Sequence, residues 1–122
     1  MLRFLQQRFR SFGYAFQGIA TLFRTQVHPW IHLCAAVVVV GLAIYFDLPA
    51  YEWVVLILCI IIVLAAEAFN TAIEYLTDLV SPDYNPLAGK VKDIAAAAVL
   101  ICAIGAAVIG LLIFGPYFLS NT

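Results

Sequence analysis

The sequence predicts an all-α membrane protein with three transmembrane helices and an N-terminal amphipathic surface helix. Hydrophobic residues make up 66% of the 122 positions, and the mean hydropathy is +1.06, which is not typical of a soluble domain. Three long apolar segments follow one another, and crossing a bilayer takes about 20 residues each. We expect a single domain over residues 1–122. Because three spans enclose little interior, we also expect a homo-oligomer.

Residues 3–24 predict the surface helix, since their side chains separate into two faces at helical spacing. One face is apolar and consists of Leu5, Phe9, Phe12, Phe16, Ile19 and Phe23. The other side carries Arg3, Gln6, Arg10, Gln17 and Arg24. An aromatic face opposite a basic one is typical of a helix at the membrane surface. Such a helix is either a simple anchor or a wall over a site.

The three spans are predicted over residues 27–46, 53–79 and 93–113. Pro29 lies where proline is tolerated, in a first helical turn. Pro82 and Pro86 are predicted to stop the helix between the second and third spans. An aromatic cluster is predicted to end the third span at the interface, and it contains Phe114, Pro116, Tyr117 and Phe118.

The positive charges predict the orientation. All six Lys and Arg residues lie in the N-terminal stretch or near Lys90 and Lys92, whereas the loop from Asp47 to Glu52 has none. The positive-inside rule therefore places the N-terminus and the Lys90 loop in the cytoplasm. The net charge of −1 gives no footprint for nucleic acid, and the three cysteines fit no metal or redox motif.

A stripe of polar residues interrupts the second span. Glu67, Asn70, Glu74 and Asp78 fall within a wedge of roughly 80° on a helix of 3.6 residues per turn. An ionised carboxyl at bilayer depth costs about 2.5–3.5 kcal/mol on the insertion scale, so such residues mark a functional site. The alternative is a structural pair bonded to neighbouring helices.

Counting along the helices predicts the depth of each polar group. Glu67 lies roughly 8 Å inside the cytoplasmic leaflet, Glu74 at the headgroup boundary and Asp78 in water. The same count places four polar residues at one depth, the cytoplasmic boundary of the membrane. A charged substrate from water would meet a substrate from the lipid at this layer. That layer contains Gln26, Glu74, Lys92 and Asp93.

These groups suit phosphoryl transfer to a lipid hydroxyl. Carboxylate oxygens favour Mg²⁺, which phosphates also bind. Lys92 can pair with the negative charge of a phosphate. A partly buried carboxylate can accept a proton from an alcohol. No Walker A loop occurs. His28 and His32 share a helical face and either bind metal or make ordinary interface hydrogen bonds. A small proton-coupled transporter is the alternative function, although it usually needs a fourth span.

The run EAFNTAIEYLTD from Glu67 to Asp78 resembles the signature of the prokaryotic integral-membrane diacylglycerol kinase family, which includes undecaprenol kinases. Lys92-Asp93 followed by Ile-Ala-Ala resembles its second motif. Gly13-Tyr14 and Ile31-His32-Leu33 resemble its N-terminal features. The resemblance covers nearly the whole chain.

The resemblance implies a homotrimer in the bacterial inner membrane, with ATP and Mg²⁺ at the cytoplasmic face and the lipid hydroxyl arriving from the bilayer. It makes Glu67 the catalytic base and Glu74 the Mg²⁺ ligand, with Asn70 and Asp78 supporting the site. The nucleotide would contact Lys92, Asp93, Tyr14, Asp83 and Tyr84. Gln26 stands where much of the family has a second metal-binding Glu, so an inactive member is a further alternative.

Overall fold

Four helices in chain order form the computed structural model, which describes residues 1–120. They are α1 (Leu2–Thr25), α2 (His28–Tyr45), α3 (Ala50–Val80) and α4 (Pro86–Ser120). The last three are long and apolar enough to cross a membrane. The predicted all-helical fold with three candidate spans is therefore confirmed.

A tight corner joins α1 to α2. Gln26 is extended there, with φ −122° and ψ 141°, and Pro29 lies in the first turn of α2, as predicted. The indole Nε1 of Trp30 donates a hydrogen bond to the carbonyl of Phe23 at 2.6 Å, and the two rings pack edge to face at 5.1 Å. These contacts fix the direction in which α1 leaves the span.

The helix α3 lies between α2 and α4 and packs most extensively against α4. The α3–α4 pair is antiparallel, and a polar contact joins the helices near each end. Lys92 meets Asp78 at one end. The hydroxyl of Tyr117 donates to Glu52 Oε2 at 2.9 Å at the other.

The hydrophobic core lies at the Glu52 end of the molecule. Its buried members are Ala43, Leu48, Leu56 and Phe114. Phe46 packs its ring against the aromatic side chains of α4, namely Phe114, Tyr117 and Phe118. The polar stripe of α3 lies towards the opposite end of the helix.

The last helix starts before the residue predicted for the start of the last span. The helix α4 begins at Pro86 and not near residue 93, so Pro82 follows the end of α3 but Pro86 opens the next helix. Proline suits a first turn, where its missing N–H needs no partner. The side chain of Asn85 caps this turn, because its Oδ1 accepts the N–H of Leu87 at 2.9 Å.

The other bounds also extend beyond the prediction. The helix α4 continues past residue 113, through Pro116, to Ser120, because the contacts of Tyr117 and the aromatic rings hold its last turns against α2 and α3. The helix α3 begins at Ala50, directly after Pro49, which is three residues before the predicted start.

Candidate active site

The predicted polar stripe lies on one helix, α3, and its exposure rises along the helix. Glu67 is 3% exposed, Asn70 and Glu74 are half-buried, and Asp78 is exposed. This order agrees with the depth count, in which Glu67 is deepest and Asp78 reaches water.

Glu67 is held by a histidine from the neighbouring span. His32 Nε2 on α2 lies 3.0 Å from Glu67 Oε1, and the side chains are 24% and 4% exposed. Sequence reasoning left His32 as either a metal ligand or an interface residue. The structure places it in contact with Glu67 across the α2–α3 interface, whereas His28 is exposed.

Two buried oxygens follow Glu67 on α3. Asn70 Nδ2 donates to Glu74 Oε1 at 3.3 Å, but Asn70 Oδ1 and Thr71 Oγ1 are buried without a hydrogen-bond partner among the described residues. A buried polar atom left unpaired is unusual in a native protein and needs an explanation.

A polar cavity of about 220 Å³ lies beyond Glu74, where the loop between α3 and α4 crosses the end of the bundle. Lys92 Nζ donates to Asp78 Oδ1 at 2.6 Å across it. Four residues that the sequence assigned to the site line this cavity, namely Asp78, Asp83, Tyr84 and Lys92. One helical turn, about 6 Å along the axis, separates Asp78 from Glu74.

An apolar cavity of about 540 Å³ lies on the other side of Glu67, between α2, α3 and α4. His32 lines its polar end, and the rest of its wall is aliphatic or aromatic apart from Cys59. Glu67 and its histidine therefore lie between an apolar cavity and the polar end of the bundle.

Comparison with known proteins identifies the chain. The family described as prokaryotic diacylglycerol kinase matches residues 13–114. The chain belongs to the prokaryotic diacylglycerol kinase family. With its three apolar helices, it is a multi-pass bacterial membrane protein.

Individual members of the family show the same likeness. An undecaprenol kinase of Bacillus subtilis (strain 168) is 38% identical over 112 residues, which cover 92% of this chain and 91% of that protein. A diacylglycerol kinase of Synechocystis is 40% identical over 111 residues, which cover 90% of this chain but only 63% of that longer protein. A diacylglycerol kinase of Escherichia coli (strain K12) is 28% identical over 109 residues, 89% of each chain.

Three of the predicted nucleotide-binding residues, Lys92, Asp93 and Tyr14, lie in different parts of the structure. Lys92 Nζ contacts Asp78, which lies one helical turn after Glu74 on α3. Asp93 is exposed in the second turn of α4 and Tyr14 is 68% exposed on α1, and neither lines the polar cavity. Because α4 begins at Pro86, Asp93 lies within the helix.

A magnesium ion shared with phosphates would need few ligands from the protein. Within residues 1–120, no three His, Cys, Asp or Glu side chains converge as a metal site. Glu74 offers a carboxylate, and Gln26 is half-buried at the α1–α2 corner. Mg²⁺ commonly takes one or two carboxylates and completes its coordination with substrate phosphates and water.

The sequence did not reveal two contacts, His32–Glu67 and Tyr117–Glu52. Each joins side chains on different helices, so periodicity along one helix carries no signal for it. For His32, an interface contact was one of two alternatives, but the sequence did not identify Glu67 as the partner.

Proposed function

We propose that the chain is a lipid kinase, which transfers the γ-phosphoryl group of ATP to the hydroxyl of a membrane lipid, either diacylglycerol or undecaprenol. The names of its relatives support this class of reaction. The observation that carries the proposal is a carboxyl that is 3% exposed in a candidate span, with a polar cavity farther along the same helix.

The proposed orientation puts the N-terminus, α1 and the polar cavity at the cytoplasmic face of the bacterial inner membrane. The four Arg residues before the first span and the two Lys residues near the α3–α4 loop support it, because positive loops stay inside. In this arrangement α1 lies on the membrane surface with its aromatic face towards the lipid.

Glu67 is the proposed general base. Its carboxylate accepts the proton of the lipid hydroxyl as the hydroxyl oxygen bonds to the γ-phosphorus. The bond from that phosphorus to the β,γ-bridging oxygen breaks, and ADP leaves. A base must lie within hydrogen-bond reach of the proton, and a buried carboxyl at the interface is within reach of an alcohol that stays in the bilayer.

Glu74 is the proposed ligand for Mg²⁺, with Asn70 orienting its carboxylate through the 3.3 Å hydrogen bond. The ion would neutralise charge on the phosphates. The nucleotide would be held by groups at and around the polar cavity, with Asp78 positioning Lys92. These groups are Lys92, Asp93, Asp83, Tyr84 and Tyr14.

The alternatives have less support. A proton-coupled transporter usually needs a fourth span, and residues 1–120 contain three candidates. Gln26 supports the alternative of an inactive family member, because an amide brings no charge to the metal.

The test is a phosphorylation assay of the purified full-length protein in lipid vesicles, with labelled ATP, Mg²⁺ and either diacylglycerol or undecaprenol. We expect one alcohol to be labelled and the Glu67→Gln variant to lose turnover, because an amide cannot accept the proton. Gln is nearly isosteric, so the variant should insert and elute like the wild type.

Three results would contradict the proposal. Full turnover by Glu67→Gln would show that Glu67 is not the general base. Labelling of neither alcohol by a well-folded wild type, together with no ATP binding, would favour an inactive member. A flux that depends on a proton gradient and needs no ATP would favour a transporter.

A further inference from the structure

A polar contact joins His32 on α2 to Glu67 on α3, with Nε2 lying 3.0 Å from Oε1. It reaches a carboxylate that is almost wholly buried, from an imidazole that is itself three-quarters buried. In an apolar surrounding a polar contact is electrostatically stronger than in water, so this one constrains the carboxylate more than a surface contact would.

A general base has to present one lone pair to the proton it takes. The Glu side chain has three rotatable bonds, and nothing in its own helix fixes the last of them. His32 bonds one oxygen, Oε1, which leaves the second oxygen of the carboxylate for another partner. Holding a reacting group within a narrow range of geometry is a large part of catalytic rate.

The surroundings of His32 add to this argument. Its other neighbours form the wall of the apolar cavity between α2, α3 and α4, including Ala35, Ala36 and Val63. These side chains offer no hydrogen bond that could replace the imidazole. Among the described residues, the side chain recorded in contact with the Glu67 carboxylate is this one from the neighbouring span.

We propose that His32 is the positioning residue for Glu67: its Nε2–H donates to Oε1 and keeps the other carboxylate oxygen free for the proton of the lipid hydroxyl. The inference rests on the proposed lipid kinase function and adds a residue that the reaction scheme above does not contain. His32 does not touch the substrate and acts only through Glu67.

The test uses kinetics of three variants in vesicles. We expect His32→Leu to lower kcat by roughly 10- to 100-fold, as for other side chains that orient a reacting group, with KM for ATP close to that of the wild type. His32→Gln should restore much of the loss, because its amide N–H can donate in the same direction. The control is His28→Leu, one turn earlier on the same helix face and exposed, which should keep the wild-type kcat.

A purely structural role predicts different results. If His32→Leu and His32→Gln lose activity equally, or if only KM rises, the positioning role is wrong. An undiminished kcat in His32→Leu beside an active wild type overturns this inference alone. A wild type that phosphorylates neither alcohol overturns the proposed function and, with it, this inference.

A second readout needs no turnover. The chain has two histidines, so ¹⁵N labelling of histidine gives a simple imidazole spectrum in which His28 serves as the internal reference. Glu67→Gln should shift the Nε2 resonance of His32 and leave that of His28 in place. An unmoved His32 resonance would show that the two side chains are not bonded in the membrane, and would overturn the inference.

Discussion

Two polar pairs of α3, Lys92–Asp78 and His32–Glu67, differ in their contribution to stability. Lys92 and Asp78 are close, at 2.6 Å, but their side chains are 40% and 63% exposed. Exposed pairs of this kind contribute about 0–1 kcal/mol to stability. The buried Glu67 instead needs its partner, because an unpaired buried charge is costly. Changes at Lys92 should therefore be visible in activity more than in folding.

Lys92→Met is expected to lower kcat/KM for ATP by roughly 10- to 100-fold, since a hydrogen bond to a charged group contributes about 1.5–3 kcal/mol. The physical reason is the loss of the cation that lines the polar cavity. The measurement is initial rate against ATP concentration at saturating lipid and Mg²⁺.

The matched control for Lys92 is Lys90→Met. Lys90 is exposed two residues earlier on α4 and is not among the residues that line the cavity, so its loss removes the same charge from the same end of the bundle. Equal losses in the two variants would mean that general surface charge, and not a contact from Lys92, attracts ATP.

Gln26→Glu is expected to lower the Mg²⁺ concentration that gives half-maximal activity. Gln26 lies half-buried at the α1–α2 corner, where the family resemblance implies a metal-binding carboxylate. A carboxylate adds charge that an amide lacks. The measurement is a Mg²⁺ titration at fixed ATP, with Gln17→Glu on the exposed part of α1 as the control. An unchanged or weakened Mg²⁺ response would mean that residue 26 is not near the metal.

At the scale of helices, the Tyr117–Glu52 hydrogen bond joins the ends of α3 and α4 that lie farthest from the polar cavity. Tyr117→Phe is expected to lower the thermal unfolding midpoint in detergent while kcat stays unchanged, because the ring packing against Phe46 is kept and only the hydroxyl is lost. Tyr51→Phe, at a 71% exposed position, is the control. A midpoint equal to that of the wild type would show that the bond does not hold the helices together.

The existence of the helices could be read from the sequence, but their ends could not. Hydropathy and periodicity report whether a segment is apolar and helical, and they located α2 to within one residue. The ends of α4 depend on the Asn85 cap and on aromatic contacts with other helices. The polar stripe followed from spacing on one helix, whereas the partner of Glu67 depends on how α2 is rotated against α3.

At the scale of the whole molecule, one chain leaves its site incomplete. The described residues offer no partner for Asn70 Oδ1 or Thr71 Oγ1. We expect a homotrimer, and native mass spectrometry of the protein released from detergent should give three times the mass of one chain. A monomer that is fully active would contradict this expectation.

Mixing two defective variants tests whether the site is shared between protomers. Glu67→Gln lacks the base and Lys92→Met lacks the cavity cation, so co-expressing them produces hybrid oligomers. If the base of one protomer serves the nucleotide bound by another, some sites in a hybrid combine an intact Glu67 with an intact Lys92. We then expect activity at low ATP to exceed the sum of the two variants made alone, while co-expression of two tagged copies of Glu67→Gln gives no recovery. Activity no greater than that sum would place the base and the nucleotide in the same protomer, since every hybrid chain then carries one of the two defects.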